Sequence, residues 1–299
     1  EAAAMVESLF GTSTKKVRGL GKATLELREA IFNMLTGEHI EPPFTVRQAF
    51  YRLTTFNAVE KSETGYRRVQ RELLRLRREQ WIPYHYITDN TRIRRKTDSY
   101  SGLAEVLEDT ARFYRQAVWR DINAHVEIWC EKDALAGVIF PETHTYDVPL
   151  FCARGYSSET YAYNAAMEMK ETGKPGFVYY FGDFDPSGWD MAENLESKLR
   201  EFNPEVAFNR VAVNPRQIEE LDLPTRPTKK TDSRQKRFAE RFGTNAASVE
   251  LDAIDPARLR QMVRGCIEQH IPDGHLEDME KEEEAARESL EQMAEVFYG

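Results

Sequence analysis

The chain has 299 residues, 41% hydrophobic and 30% charged, enough for one large or two smaller globular cores, and no apolar run approaches the ~20 residues of a bilayer-crossing helix. Its net charge of −9 is uneven: residues 1–120 carry 21 Lys and Arg against 15 Asp and Glu, whereas residues 121–299 carry 20 against 35. A basic half suited to a phosphate backbone therefore precedes an acidic half suited to cations, and the three distant cysteines (Cys130, Cys152, Cys266) exclude a zinc motif and imply a reduced cytoplasmic setting.

Residues 1–23 begin EAAAMVESLF, without the segments of a secretory signal, and are expected to be an N-terminal arm or an expression remnant. Residues 24–100 read as a three-helix domain with a small β-ribbon. TLELREAIFNMLTGEH (24–39) has helical apolar spacing, and Pro42-Pro43 ends it. Thr45 is placed to cap VRQAFYRLTTF, with Phe44 before it as a staple. Ser62 is placed to cap a helix over 62–80, with Tyr66, Val69, Leu73, Leu74 and Leu76 as its apolar positions. WIPYHYITDNTRIRR (81–95) then alternates like a hairpin with a basic tip. Three helices and a ribbon describe a winged helix, a helix-turn-helix variant.

A helix over 101–120 is expected to connect the halves, and residues 121–299 alternate strands and helices. HVEIWCEK, VPLFCARG, GFVYYFGDFD and FNRVAV read as strands, separated by helical stretches. Such alternation needs crossovers, and hence a mainly parallel sheet covered by helices, an α/β fold. The chain closes in helices, the last a strongly acidic run (DMEKEEEAARESLEQMAEVF) that reads as a solvated helix.

Parallel sheets collect ligands at the carboxyl ends of their strands. Glu131 ends the first strand, and Asp183 and Asp185 end the third in GDFDPSG, where i, i+2 spacing lets both aspartates face one point. Three carboxylates in one cup either share protons or hold a hard divalent cation, and magnesium takes such oxygens while keeping waters and a substrate phosphate. This pattern, a strand ending in Glu followed by a later strand ending in D-x-D, resembles the Toprim domain of topoisomerases, bacterial primases and some nucleases. The resemblance implies that Glu131, Asp183 and Asp185 hold Mg2+, with Mn2+ as a substitute, at a scissile phosphate.

TVRQAFYRL places Tyr51 one turn after Arg47, on one helix face. A tyrosine can attack phosphorus when a cation stabilises the leaving charge, and the phosphotyrosine keeps the energy needed to reseal the strand. The segment is similar to the catalytic-helix motif of topoisomerase VI A subunits and the related meiotic double-strand-break protein, where an Arg precedes two aromatics and the second is the nucleophile. Here the pair is Phe50-Tyr51, with Phe replacing the usual first tyrosine, Arg47 in the arginine position and Gln48 where the family often has an acid. Domain order agrees, VELDAI (249–254) is similar to a late Toprim segment, and the resemblance covers most of residues 24–270, closest to free-standing "mini-A" proteins. It implies a homodimeric type IIB topoisomerase-like enzyme that binds double-stranded DNA and cuts it through a 5′-phosphotyrosyl link, with Tyr51 and Arg47 catalytic. No nucleotide-binding segment is visible, so there is no ATP site, and strand passage would need a separate ATPase or other subunit.

Arg67, Arg68, Arg71, Arg75, Arg77 and Arg78 crowd one expected helix, and Arg92, Arg94, Arg95 and Lys96 follow on the ribbon. Ten cations within 30 residues favour phosphate contacts over base reading. Lys229, Lys230, Arg234, Lys236 and Arg237 form a second basic patch, and Arg154 with the Gly155–Ser158 turn offers a phosphate site at a helix start. Two other readings stay open: a hydrolytic Toprim nuclease with Tyr51 structural, and a non-catalytic DNA-binding protein whose metal braces the fold.

Overall fold

Six consecutive residues that are apolar or tied to apolar neighbours, HVEIWC, form a strand because both faces of it can be buried. This is β1 (His125–Cys130), joined by β2 (Leu150–Cys152), β3 (Gly176–Phe181) and β4 (Ala207–Ala212) into an all-parallel sheet of order β2-β1-β3-β4. The computed structural model describes residues 21–37, 42–88, 99–152, 159–228, 234–244 and 246–298. The helices are α1 (Lys22–Thr36), α2 (Val46–Thr55), α3 (Glu63–Arg78), α4 (Leu103–Phe113), α5 (Ala136–Thr145), α6 (Glu159–Glu171), α7 (Pro186–Phe202), α8 (Pro215–Glu220), α9 (Gln235–Phe242), α10 (Pro256–Glu268) and α11 (His275–Tyr298). None of the described helices is long and apolar enough to cross a membrane.

The chain divides into two compact units: residues up to 40 with Ala49–Tyr86, and Glu41–Gln48 with everything from Ile87 onward. In the second unit the sheet has a core on each face. Ile128, Tyr179 and Phe181 pack with Val138 and Ile139 of α5 and Leu259, Val263 and Ile267 of α10. On the other face Trp129, Val178 and Tyr180 meet Ala162, Ala165 and Ala166 of α6 and Leu195 and Leu199 of α7. Small alanines let α6 approach the large Trp129 ring, which stacks on Phe151 at 4.8 Å and donates its Nε1–H to buried Glu127 at 2.7 Å.

The expected connecting helix over 101–120 ends early, at Phe113. Beyond it the chain bonds to α11: Arg287 donates to the Tyr114 carbonyl at 2.8 Å and Glu283 accepts from the Gln116 N–H at 2.8 Å. Those contacts satisfy backbone groups that another helical turn would otherwise have used. The acidic run is thus a helix with one working face, burying Met279 and Ala294. Of the expected ribbon at 81–95, the described part holds a 3-10 turn at Tyr84–Tyr86 and one parallel bridge between Ile87 and Phe44. Pro83 lacks an N–H for a ladder and instead accepts from Tyr86 N at 3.1 Å. The rest of that ribbon lies outside the described residues.

In the first unit, α3 begins as expected: the Ser62 hydroxyl accepts from the Gly65 N–H at 3.1 Å. Its buried stripe is Val69, Glu72, Leu73 and Leu76, while Leu74 is exposed. A glutamate replaces the expected apolar position because Arg28 of α1 enters the same core, its Nε 2.8 Å from Glu72 Oε2, with Arg71 and Arg75 on the other oxygen at 3.1 Å each. Burial alone would raise the Glu72 carboxyl, but the hydrogen bonds from Arg28 and Arg71 outweigh it and hold its pKa below the ordinary glutamate value.

Because that pKa is depressed, the stabilisation it reports is present above the ordinary glutamate range and is lost as pH falls through the folded-state value. Glu72→Gln leaves the buried Arg28 guanidinium short of a counter-charge and is expected to cost about 3 kcal/mol. Urea unfolding at pH 7 checks the loss, and the same titration at acid pH should show the gap between wild type and variant closing.

Candidate metal and phosphate site

Register alone brings Glu131 and Asp183 together. β1 and β3 pair in parallel from His125↔Gly176 to Cys130↔Phe181, so the residues that follow both strands emerge side by side, and Glu131 N donates to Phe181 O at 2.9 Å. Asp185 then serves as N-cap of α7, with Pro186 at its first position. A third segment arrives through two short antiparallel bridges, Phe184↔Val249 and Arg226↔Ser248, which deliver Glu250 and Asp252 to the same end of the sheet.

Each of the three expected ligands is oriented by one backbone N–H. Glu131 Oε2 accepts from Asp183 N at 2.9 Å, Asp183 Oδ1 from Leu251 N at 2.7 Å, and Asp185 Oδ1 from Gly188 N at 2.8 Å. Among the described residues no donor is found on the second oxygens, Glu131 Oε1 and Asp183 Oδ2, while Asp185 Oδ2 has Arg226 Nη2 at 3.4 Å. Burial, then the charge of Asp183, pushes the Glu131 carboxyl up to about 7. Burial also raises Asp183, though Lys132 and the Leu251 N–H pull against it. Two such carboxylates seek a proton or a cation.

The donor set suits a hard cation: oxygens only, with the outer lone pairs of the two closest carboxylates left open. Among the described residues no three or more His, Cys, Asp or Glu side chains are grouped so that they could hold a metal ion. Magnesium does not require such a group, because it takes one or two carboxylates and completes its shell with waters and a substrate phosphate. Two glycines make the room. A Cβ at Gly182 would lie 2.6 Å from Glu131 Oε2, and one at Gly188 would lie 2.6 Å from the Asp183 carbonyl and 2.9 Å from Glu131 Oε2.

Around these carboxylates stand cations that sequence reasoning did not assign. Lys132 Nζ is 2.6 Å from Asp252 Oδ2, 2.9 Å from Asp183 Oδ1 and 3.4 Å from Glu250 Oε2. Burial would strip its proton, but the charges of Asp252, Asp183 and Glu250 outweigh burial and hold its pKa above the usual lysine value. Glu250 is brought down to about 2, the cations Lys132, Arg47 and Arg226 overcoming its burial. Arg210 of β4 works differently: it donates to the carbonyl oxygens of Gly182 (3.2 Å), Asp183 and Gly188 (3.3 Å), with its guanidinium over the Trp189 ring. It pins the backbone of the D-x-D loop without consuming a carboxylate. The E-K pair and the VELDAI acids were visible as motifs, whereas nothing in LDLPTRPTKK marked Arg226.

Arg47, in the first turn of α2, donates to Glu250 Oε2 at 2.6 Å and keeps 44% of its side chain exposed. Thr45 and Gln48 form the expected cap, exchanging bonds of 3.1 and 2.9 Å. Tyr51, one turn further, is buried (7% exposed), as is Phe50, and the Lys61 ammonium lies 5.5 Å from the centre of its ring. Arg67, Arg71, Arg75 and Arg78 recur at three- and four-residue spacing along the exposed side of α3, while Arg68 is half-buried and donates to the Ala23 carbonyl. Arg92, Arg94, Arg95, Lys96, Arg154, Lys229 and Lys230 lie outside the described residues. Arg237 and Arg241 are spent on Asp190 and Glu193 of α7. No protein-family model and no curated protein matches the chain.

A matched pair of substitutions separates the glycine's role from helix propensity. Gly265→Ala, on an exposed stretch of α10 with open space around it, should stabilise the protein by up to ~1 kcal/mol. Gly188→Ala, also helical, should instead destabilise it by about 1–3 kcal/mol through contact with the Asp183 carbonyl, as thermal unfolding of both variants would show.

Proposed function

We propose that the protein is a magnesium-dependent DNA-cleaving transesterase of the type IIB topoisomerase A-subunit kind, a winged-helix domain followed by a Toprim domain. The observation that carries this reading is the trio Glu131, Asp183 and Asp185 at the carboxyl ends of parallel strands, each turned by a backbone N–H on one oxygen. The exposed arginine stripe of α3 supports a duplex partner, because Arg71 and Arg75 share one buried carboxylate and so present surplus positive charge. The Arg47–Tyr51 spacing and its family resemblance supply the nucleophile.

In this reading the Tyr51 hydroxyl attacks a DNA phosphorus. A bond forms between the phenolic oxygen and phosphorus, the bond to the 3′-oxygen breaks, the phenolic proton passes to solvent, and the leaving 3′-oxygen takes a proton from solvent to become a hydroxyl. Arg47 donates to a non-bridging phosphate oxygen and so stabilises charge that grows as the new bond forms. Magnesium, when held by Glu131, Asp183 and Asp185, supplies further stabilisation on the phosphate and the leaving oxygen. As the resemblance implies, a homodimer offers the tyrosine of one protomer to the carboxylates of the other, so two acting sites cut both strands. Resealing is the same step reversed.

One observation favours a second reading, the hydrolytic nuclease: the Tyr51 side chain is buried, which leaves water as the more accessible nucleophile. Supercoiled plasmid incubated with protein and Mg2+, then denatured with and without protease, separates the two. Transesterification predicts protein-linked ends that vanish in Tyr51→Phe, and free ends that persist in that variant give the hydrolytic answer. Asp185→Asn should lower cutting at least a hundredfold under either. A plasmid that is bound yet never cut would sink both.

A further inference from the structure

Two of the three cysteines meet at the edge of the sheet. The parallel pairing of β1 with the edge strand β2 aligns Ile128 with Leu150, Trp129 with Phe151 and Cys130 with Cys152. Neighbouring strands run ~4.8 Å apart, inside the ~4.4–6.8 Å range of Cα separations that a disulfide spans. Side chains do reach one another across this ladder, since the Trp129 and Phe151 rings stack at 4.8 Å one position earlier. Alternation turns both cysteines to the opposite face. There Cys130 is buried in the core shared with α5 and α10, and Cys152 packs against it half-buried, both as free thiols. The pair also adjoins the carboxylate cup. Cys130 directly precedes Glu131, and its Sγ–H donates to the Lys132 carbonyl at 3.4 Å, tying the turn from which Glu131 and Lys132 project.

We propose that Cys130 and Cys152 are a redox pair that closes into a disulfide under a hydroperoxide and, in closing, displaces Glu131 from the cup. Cys152, half-buried on the edge strand, meets the oxidant first. Its sulfur takes one peroxide oxygen as the O–O bond breaks, giving a sulfenic acid and water. The Cys130 sulfur then attacks the Cys152 sulfur, the S–O bond breaks, and the hydroxyl leaves with the Cys130 proton as a second water. Two thiols are oxidised and one peroxide is reduced. The new bond consumes the Cys130 Sγ–H, so the Lys132 carbonyl loses that donor and the turn loses its tie. Formation of the bond follows from the sheet alone, whereas its effect on metal and cutting rests on the reading of the cup as a metal site.

Reduced protein treated with hydrogen peroxide, alkylated, digested and mapped by mass spectrometry should yield a peptide pair joining Cys130 to Cys152. That pair should be lighter by two hydrogens and released by dithiothreitol, with Cys266 still alkylated. Hydrogen exchange on the same samples gives a readout that needs no metal. Oxidation should speed exchange at the Asp183 N–H, which Glu131 Oε2 holds at 2.9 Å, and dithiothreitol should restore it. In calorimetric titration with Mn2+, oxidation should lower the affinity by about tenfold or more, with plasmid cutting falling alongside. Cys152→Ser and Cys152→Ala should both behave as reduced wild type and ignore peroxide, whereas Cys266→Ala should still switch. A cross-link with faster Asp183 exchange, in a protein that neither binds Mn2+ nor cuts, keeps the redox pair and removes the metal-site reading. Absence of the cross-link in the folded protein overturns the proposal. So does a cross-link that leaves Asp183 exchange, or the affinity of a Mn2+-binding protein, unchanged.

Discussion

The ammonium group of Lys132 is what allows three carboxylates to lie together beneath the end of the sheet. Asp183, Glu250 and Asp252 come from two separate stretches of chain, and all three contact this one charge. Like charges ~4 Å apart repel by about 4 kcal/mol even in a partly screened interior, so the cluster would not close without a cation at its centre. Lys132 follows Glu131 directly, so the residue that offers an outward carboxylate and the one that gathers the inward ones share a single turn of backbone. Arg47 and Arg226 add two further cations to the inward group through Glu250. The outward group keeps open lone pairs.

Arg210 complements this arrangement from the neighbouring strand. By bonding to carbonyl oxygens it fixes where the aspartates begin, whereas Lys132 fixes where one of them ends. Preorganisation of this kind matters for phosphate chemistry, because groups already aimed at developing charge need no reorganisation when the reaction occurs. Gly182 and Gly188 belong to the same construction, since side chains there would occupy the space of the Glu131 carboxylate.

Much of this was legible in the residues, for definite reasons. The α/β alternation, the parallel sheet, the caps of α2 and α3 and the strand-end positions of Glu131, Asp183 and Asp185 follow from local periodicity and turn chemistry, which a single chain displays. What escaped was set by distant partners. Glu72 lies outside the apolar positions read for its helix, and is buried because Arg28, 44 positions earlier, enters the same core. The connecting helix stops at Phe113 because α11 supplies partners to the backbone beyond it. Arg226 sits in a proline-flanked loop with no periodic signal, and only the bridge to Ser248 carries it to the carboxylates. Tyr51 is the reverse case: its spacing from Arg47 was visible, but its burial was not.

The grouping of Glu41–Gln48 with the later chain bears on how this protein can be divided. A polypeptide started at Ile87 would hold the whole sheet and every carboxylate of the cup, yet would omit Phe44, Thr45 and Arg47. Ile87 would lose its bridging strand partner, Asp252 the Thr45 hydroxyl at 3.5 Å, and Glu250 one of its guanidiniums. Gene fusion, domain exchange or truncation along the apparent linear boundary would therefore leave the second unit without these contacts. The two parts are interleaved in sequence, so no single cut of the chain separates them.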